Sequence, residues 1–211
     1  MIIKRTVRQT VAVAALVAAT ASCGDVVRQG RSPVYLVIAS LQAAQGNHNT
    51  QFFSSLTSDV LTLVSSPAPC TTTSPCPTVF GDVGQVTLRL SLKDIGTPGN
   101  PTTPTTNNEV TIDRYHVSYR RADGRNTPGV DVPYGFDGAA TGTVTGGTAL
   151  TLGFTLVRNT AKIESPLVQL ITSPTTISAI ADVTFYGHDQ VGNEVSVTGS
   201  IDVAFGNFGD S

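Results

Sequence analysis

The sequence predicts an all-β protein, an antiparallel β-sandwich of about seven to nine strands behind a cleaved leader, and three observations lead there. The first is a strict alternation in which Val86, Leu88, Leu90 and Leu92 face away from Gln85, Thr87, Arg89, Ser91 and Lys93. That gives one apolar and one wet face at the two-residue period of a half-buried strand. The second is composition. Charged residues are 13% of the chain, against about 25% in ordinary soluble domains, while Thr, Val, Gly, Ser and Pro are abundant, as strands of β-branched residues joined by Gly/Pro turns require. The third is that neither sustained helical periodicity nor a repeat of fixed length occurs, which argues against bundles, solenoids and propellers.

The first element is the leader, residues 1–22. Lys4, Arg5 and Arg8 precede an apolar run from Val11 to Ala19, the layout of an export signal. The run has nine residues, whereas a spanning helix needs about 20. Two cleavage readings stay open. Ala19-Thr20-Ala21 fits ordinary signal cleavage and would release a soluble secreted binding protein. Thr20-Ala21-Ser22-Cys23 resembles a bacterial lipobox, with Thr20 where an aliphatic residue is usual. The resemblance implies a multiply acylated Cys23, hence a durable anchor, because one acyl chain holds only marginally and two hold firmly. Residues 23–31 would then be a lipidated, flexible tether. Gly24 rather than Asp after Cys23 implies, by similarity to enteric lipoproteins, the outer membrane.

With Cys23 acylated, Cys70 and Cys76 remain as one pair, closing the ring Cys-Thr-Thr-Thr-Ser-Pro-Cys. A disulfide there would stiffen a surface loop and contribute about 2 kcal/mol on chain-entropy grounds. A metal site is the alternative, but the pair is not Cys-x-x-Cys and no histidine follows at finger spacing. The charge balance of 13 basic against 15 acidic residues, three of the basic ones in the leader, offers no basic field for nucleic acid.

Within a single domain, 32–206, the first strand is expected at Val34–Ile38 and a second at Asp59–Val64. The Pro/Ser/Thr/Cys stretch 65–78 is a loop, followed by the alternating strand 85–93. Residues Pro98–Asn108 are too rich in Pro, Thr and Asn for strand or helix and form a long exposed loop. Val110–Arg121 is a long strand through Tyr115, Val117 and Tyr119. Gly and Pro between 124 and 147 predict turns and short edge pieces. Ala149–Val157 is a strand, and Glu164–Leu170 a single helical turn with Ser165 as its cap and Pro166 at its first position. Ile177–Tyr186 and Glu194–Phe205 make the terminal hairpin, before a tail at 207–211.

The hairpin turn Asp189-Gln-Val-Gly-Asn193 is similar to the Asp-x-Ala-Gly-Asn turn between the last strands of bacterial immunoglobulin-like domains, with Val191 in place of Ala. Ile112-Asp-Arg-Tyr115-His-Val117-Ser-Tyr119 resembles the third strand of fibronectin type III modules, although the chain contains no tryptophan. The resemblance implies an immunoglobulin-like sandwich, a fold shared too widely to fix a function. Asp189 is expected to accept backbone hydrogen bonds across the turn, with Gly192 and Asn193 tolerating positive φ. That bland role is preferred to calcium ligation by Asp189, Asn193 and Glu194, because calcium takes about six to eight oxygens.

No catalytic residues are assigned. His48, His116 and His188 are the general-base candidates, but Gly-x-Ser-x-Gly, His-Glu-x-x-His and phosphate-binding loops are all absent, and no cofactor or metal is implied. Arg120, Arg121 and Arg125 are candidate contacts for an anionic envelope polymer, set against a solvated strand end paired with Asp123 and Asp131. The sandwich places loops 94–109 and 189–193 at one end, with Asn100, Asn107, Asn108, Asp189 and Asn193 as candidate recognition residues. The Cys70–Cys76 loop and the arginine turn lie at the other. The expectation is a non-enzymatic lipoprotein of the bacterial cell envelope, a binding, adhesion or structural module for an envelope protein or glycan and not for nucleic acid. An envelope hydrolase with a dispersed active site is the alternative.

Overall fold

The structure is a computed structural model that describes residues 30–47 and 51–209; the leader, Cys23 and His48 lie outside them. The chain forms β1 (Val34–Ala44), β2 (Ser55–Asp59), β3 (Thr62–Val64), β4 (Cys76–Thr78), β5 (Asp82–Leu92), β6 (Gly96–Thr97) and β7 (Asn100–Pro101). It continues with β8 (Val110–Arg120), β9 (Phe136–Val144), β10 (Leu150–Val157), a helical turn α1 (Asn159–Lys162), β11 (Ile177–Asp189) and β12 (Glu194–Gly206). One sheet has the order β1-β5-β10 and the other β2-β12-β11-β8-β9. Their pairings are antiparallel except that of β2, which runs parallel to β12.

Alternate residues from both sheets fill one core. Val34, Leu36, Val86, Leu88 and Leu156 come from the smaller sheet; Ile112, Val117, Val183, Phe185, Val203 and Phe205 come from the larger. In place of a tryptophan, Tyr115, Phe154 and Phe185 form an aromatic centre, with Phe154 edge-on to both others at centroid distances of 5.3 Å. Such pairs contribute about 0.5–1.5 kcal/mol each beyond their buried area. The phenols find partners, as buried hydroxyls must. Tyr119 donates to the Leu156 carbonyl at 2.6 Å, and Tyr115 accepts from the Thr155 amide at 3.1 Å, so both bridge the two sheets.

Two rings gain their room from glycine. Phe154 is registered opposite Gly84, and Tyr115 opposite Gly138. A Cβ at either glycine would overlap the ring, so each aromatic lies over the bare backbone of its neighbour strand. Gly138 and Gly142 belong to β9, a nine-residue strand in the region expected to hold turns and short edge pieces. The glycines there are sites of close approach, Gly138 under Tyr115 and Gly142 under Leu150 and Leu152.

Four other expectations change. The strand at 59–64 is two strands, because the Asp59 carboxylate accepts the Leu61 amide at 3.3 Å and the Thr62 hydroxyl at 3.1 Å. Those local bonds turn the chain away from the sheet. Residues 98–108 are not free of regular structure: β6 and β7 pair, and Thr106–Asn108 form a 3-10 turn in which the Asn108 side chain accepts from the Thr105 amide and hydroxyl. Ser165 caps nothing; the turn is a 3-10 helix at Leu167–Ile171 with Pro166 at its cap and no side-chain cap bond. Its role is to bury Leu167 and Leu170 over the core. The residues before it form α1, which was not expected, and it carries the one buried lysine of the described residues.

That lysine completes a buried polar cluster joining the sheets. Lys162 is 1% exposed and Asp82 0%. Nζ lies 2.9 and 3.0 Å from the two Asp82 carboxylate oxygens and donates to the Asp59 carbonyl at 2.7 Å. Asp82 also accepts from the Ser58 hydroxyl at 2.6 Å and the Gly46 amide at 3.0 Å. Burial pushes the Asp82 carboxyl above its ordinary range, against the opposing pull of Lys162, Ser58 and Gly46. Each charge is costly to bury alone and tolerable only with its partner.

Removing either charge therefore strands the other. Lys162→Met and Asp82→Ala are each expected to cost about 3–5 kcal/mol in urea unfolding. The double variant is expected to cost less than their sum by about 0.5–3 kcal/mol, and strict additivity would contradict the pairing. Gly138→Val, which forces the Tyr115 ring aside, is expected to cost about 1–3 kcal/mol in the same assay.

Candidate recognition surface

The outer face of the five-stranded sheet carries a series of paired polar side chains, and a β-bulge interrupts it. In β8 the inward residues are Ile112 and Tyr115, three positions apart rather than two, so Asp113 and Arg114 both face solvent. The register against β9 and β11 shifts at this point. One extra residue re-aims a side chain in this way wherever it interrupts a ladder. The Arg114 guanidinium stacks 4.0 Å above the Tyr186 ring, a contact worth about 0.5–1 kcal/mol when exposed. Asp113 lies 3.4 Å from His188 Nδ1. Together with Glu194 they border a recess of about 320 Å³ that Gly187 and Gly192 also line.

Along the sheet from this recess the outward residues are paired in rungs. His116 Nδ1 is 2.9 Å from Asp137, and Thr184 and Thr198 share a hydrogen bond of 2.8 Å. At the far end Arg120 reaches Asp182 with contacts of 2.6 and 3.3 Å, while the Ser200 hydroxyl donates to the same carboxylate at 2.6 Å. Partial burial opposes charge on Asp182, but the bonds from Arg120 and Ser200 outweigh it and hold the carboxyl below its ordinary range. The rungs fix side-chain positions on a rigid sheet, which lowers the ordering cost of binding.

The expected site residues fall into three separate places. Asp189 is buried and accepts the Val191 amide at 3.1 Å, the Asn193 amide at 2.8 Å and the Asn193 side-chain amide at 2.8 Å. Gly192 takes positive φ, at 83°, but Asn193 does not. Instead Asn193 serves as a donor. Burial works against the Asp189 charge, and hydrogen bonds from Asn193, Ser32 and Val191 overcome it, so its carboxyl is held below the ordinary range. The segment 94–109 lies at the same end, since Asp189 is registered against Val110. There Asn100 and Asn107 are exposed, whereas Asn108 is turned onto Thr105.

The arginines do not converge. Arg121 and Arg125 both grip Asp123, each with a 2.8 Å contact, whereas Arg120 belongs to the Asp182 rung. Hydrogen bonds from Arg121 and then Arg125 hold the Asp123 carboxyl far below its usual range. Asp131 accepts the Thr127 amide rather than an arginine. Cys70 and Cys76 form a disulfide with a Cα separation of 5.3 Å, next to the β3–β4 pair. Among the described residues no group of three or more His, Cys, Asp and Glu side chains is placed to hold a metal ion.

The recess was not foreseen from sequence, yet one signal pointed to it. In Ile112-Asp-Arg-Tyr115 the apolar spacing slips from two to three, and such a slip in a clear strand marks a bulge.

Because the Asp189 carboxyl is depressed, its contribution is present above the ordinary carboxylate range and is lost as pH falls through its folded value. Asp189→Ala is thus expected to lose about 2 kcal/mol at pH 7, and the deficit is expected to shrink in acid-unfolding curves as pH falls below the carboxylate range. A constant deficit across that range would contradict the assignment. Compared with known proteins, the chain matches no family model, and no curated protein resembles it significantly.

Proposed function

We propose that the protein is a lipid-anchored, non-catalytic component of the bacterial envelope whose immunoglobulin-like sandwich recognises an envelope glycan. Strand order supports the sandwich. β1, β5 and β10 sit where an immunoglobulin domain has its first, second and fifth strands, and β9-β8-β11-β12 follow the order of the opposite sheet. Thr20-Ala21-Ser22-Cys23 and the short apolar leader support the anchor. The Cys70–Cys76 disulfide suits an oxidising compartment.

The observation that carries the binding reading is the recess at the bulge. It gathers a guanidinium, two carboxylates, an imidazole and a phenol around glycine backbone, a set of donors and acceptors matched to hydroxyl-rich or zwitterionic sugars. Polar groups preset by their neighbours on a rigid sheet supply orientation, and an aromatic ring supplies the apolar contact.

Sedimentation of the purified protein with isolated cell-wall glycan tests this reading. Arg114→Ala and Tyr186→Ala are each expected to weaken binding about tenfold, the equivalent of ~1.4 kcal/mol, while Val130→Ser leaves it unchanged. Equal binding by all variants would overturn the recess as the site. For the anchor, Cys23→Ser is expected to abolish incorporation of labelled palmitate and to move the protein from the membrane to the soluble fraction. A labelled Cys23→Ser variant would refute acylation at that residue.

A further inference from the structure

The described chain enters the domain at the end that holds segments 94–109 and 189–193. The Ser32 side chain hydrogen-bonds Asp189 in the last hairpin turn. Pro33 accepts the Lys93 amide at 2.9 Å, and the Lys93 ammonium donates to the Gly30 carbonyl at 3.3 Å while lying 4.9 Å from the Tyr35 ring centroid. The start of the domain is thereby pinned beside both segments. The two most exposed large apolar side chains of the described residues, Ile95 at 75% and Val191 at 68%, stand on this same end.

Reach decides which end meets the membrane. Cys23 is seven residues from Gly30, a leash of at most about 25 Å at full extension. β11 and β12 are each 13 residues long, roughly 40 Å of strand. The leash is shorter than the domain it holds, so the entry end stays within about 25 Å of the bilayer, while the arginine turn and the disulfide loop can stand clear of it.

We propose that Ile95 and Val191 form a membrane foot, two apolar tips pressed into the headgroup–acyl boundary of the bilayer that holds the Cys23 acyl chains. This rests on the proposed lipidation. Apolar groups on an otherwise polar surface gain free energy in proportion to the area they bury at that boundary. Lys93, two positions before Ile95, adds a cation at this end, and the Asp94 carboxylate is turned onto the Gly96 amide at 2.9 Å. The loop residues Asn100 and Asn107 then meet lipid headgroups rather than a partner in solution. The recess at Asp113 and Tyr186, which Gly192 also borders, lies beside the foot, and the distal end stays free.

The chain contains no tryptophan, so a single introduced indole reports its own surroundings. Ile95→Trp, Val191→Trp and, as a control of similar exposure at the opposite end, Val130→Trp would be purified as full-length lipidated proteins. Each would be placed in phosphatidylcholine–phosphatidylglycerol vesicles containing brominated lipid. The expected result is loss of indole emission with a blue shift at positions 95 and 191, and neither at position 130. Acyl mass on the Cys23 peptide with unquenched indoles at 95 and 191 would overturn the foot alone, as would equal quenching at all three positions. A Cys23 peptide without acyl mass would overturn the anchor, and the foot with it.

Discussion

The buried pair of Lys162 and Asp82 is the constraint on which the domain's closed end depends. Asp82 begins β5 in the smaller sheet, Lys162 follows β10 of that sheet, and Ser58 and Asp59 end β2 in the larger one. A single ammonium and a single carboxylate thus draw three chain segments together where the core would otherwise open. Desolvation outweighs the favourable contacts of Asp82, as is common where an ion pair is taken fully out of water. Its contribution to the pH dependence is opposite in sign to that of Asp182 and Asp189. A raised carboxyl favours folding most below its ordinary range and loses that contribution as pH rises, whereas depressed ones favour folding above it.

With the closed end fixed, the opposite face of the larger sheet is free to carry chemistry. Its inward residues belong to the core and its outward ones to the rungs, so the strand period of two divides packing from polar pairing residue by residue. The bulge at Asp113 is the one place in β8 where that division slips. It turns two consecutive charged side chains outward, and β11 answers with Tyr186 and His188. A recess arises between the bulge and the last hairpin turn, bordered by Gly187 and Gly192.

Much of the fold was legible because it rests on local pattern. The alternation from Gln85 to Lys93 placed β5, and the Asp189–Asn193 turn placed the last hairpin together with the bonds of Asp189. The Cys70–Cys76 bridge followed from counting cysteines. What escaped were features set by contacts distant in sequence. Gly138 reads as a turn residue until Tyr115 lies over it, and residues 59–64 read as one strand until the Asp59 carboxylate claims Leu61 and Thr62. Lys162 looks like any polar residue near a helical turn, for nothing local announces that Asp82, eighty positions earlier, will bury with it. The arginines were legible in part, since the pairing with Asp123 expected of a solvated strand end holds for Arg121 and Arg125. Clustered in sequence, they divide between Asp123 and Asp182 because Arg120 still obeys the outward face of its strand.

The most direct test of this account is an NMR titration of the Asp82 side-chain carboxyl in the full-length protein. A carboxylate desolvated between the two sheets, with Lys162 as its partner, is predicted to titrate above the ordinary aspartate value of about 3.9. A midpoint at or below that value would contradict it, since it would place Asp82 in water or in a pair whose attraction exceeds the cost of burial.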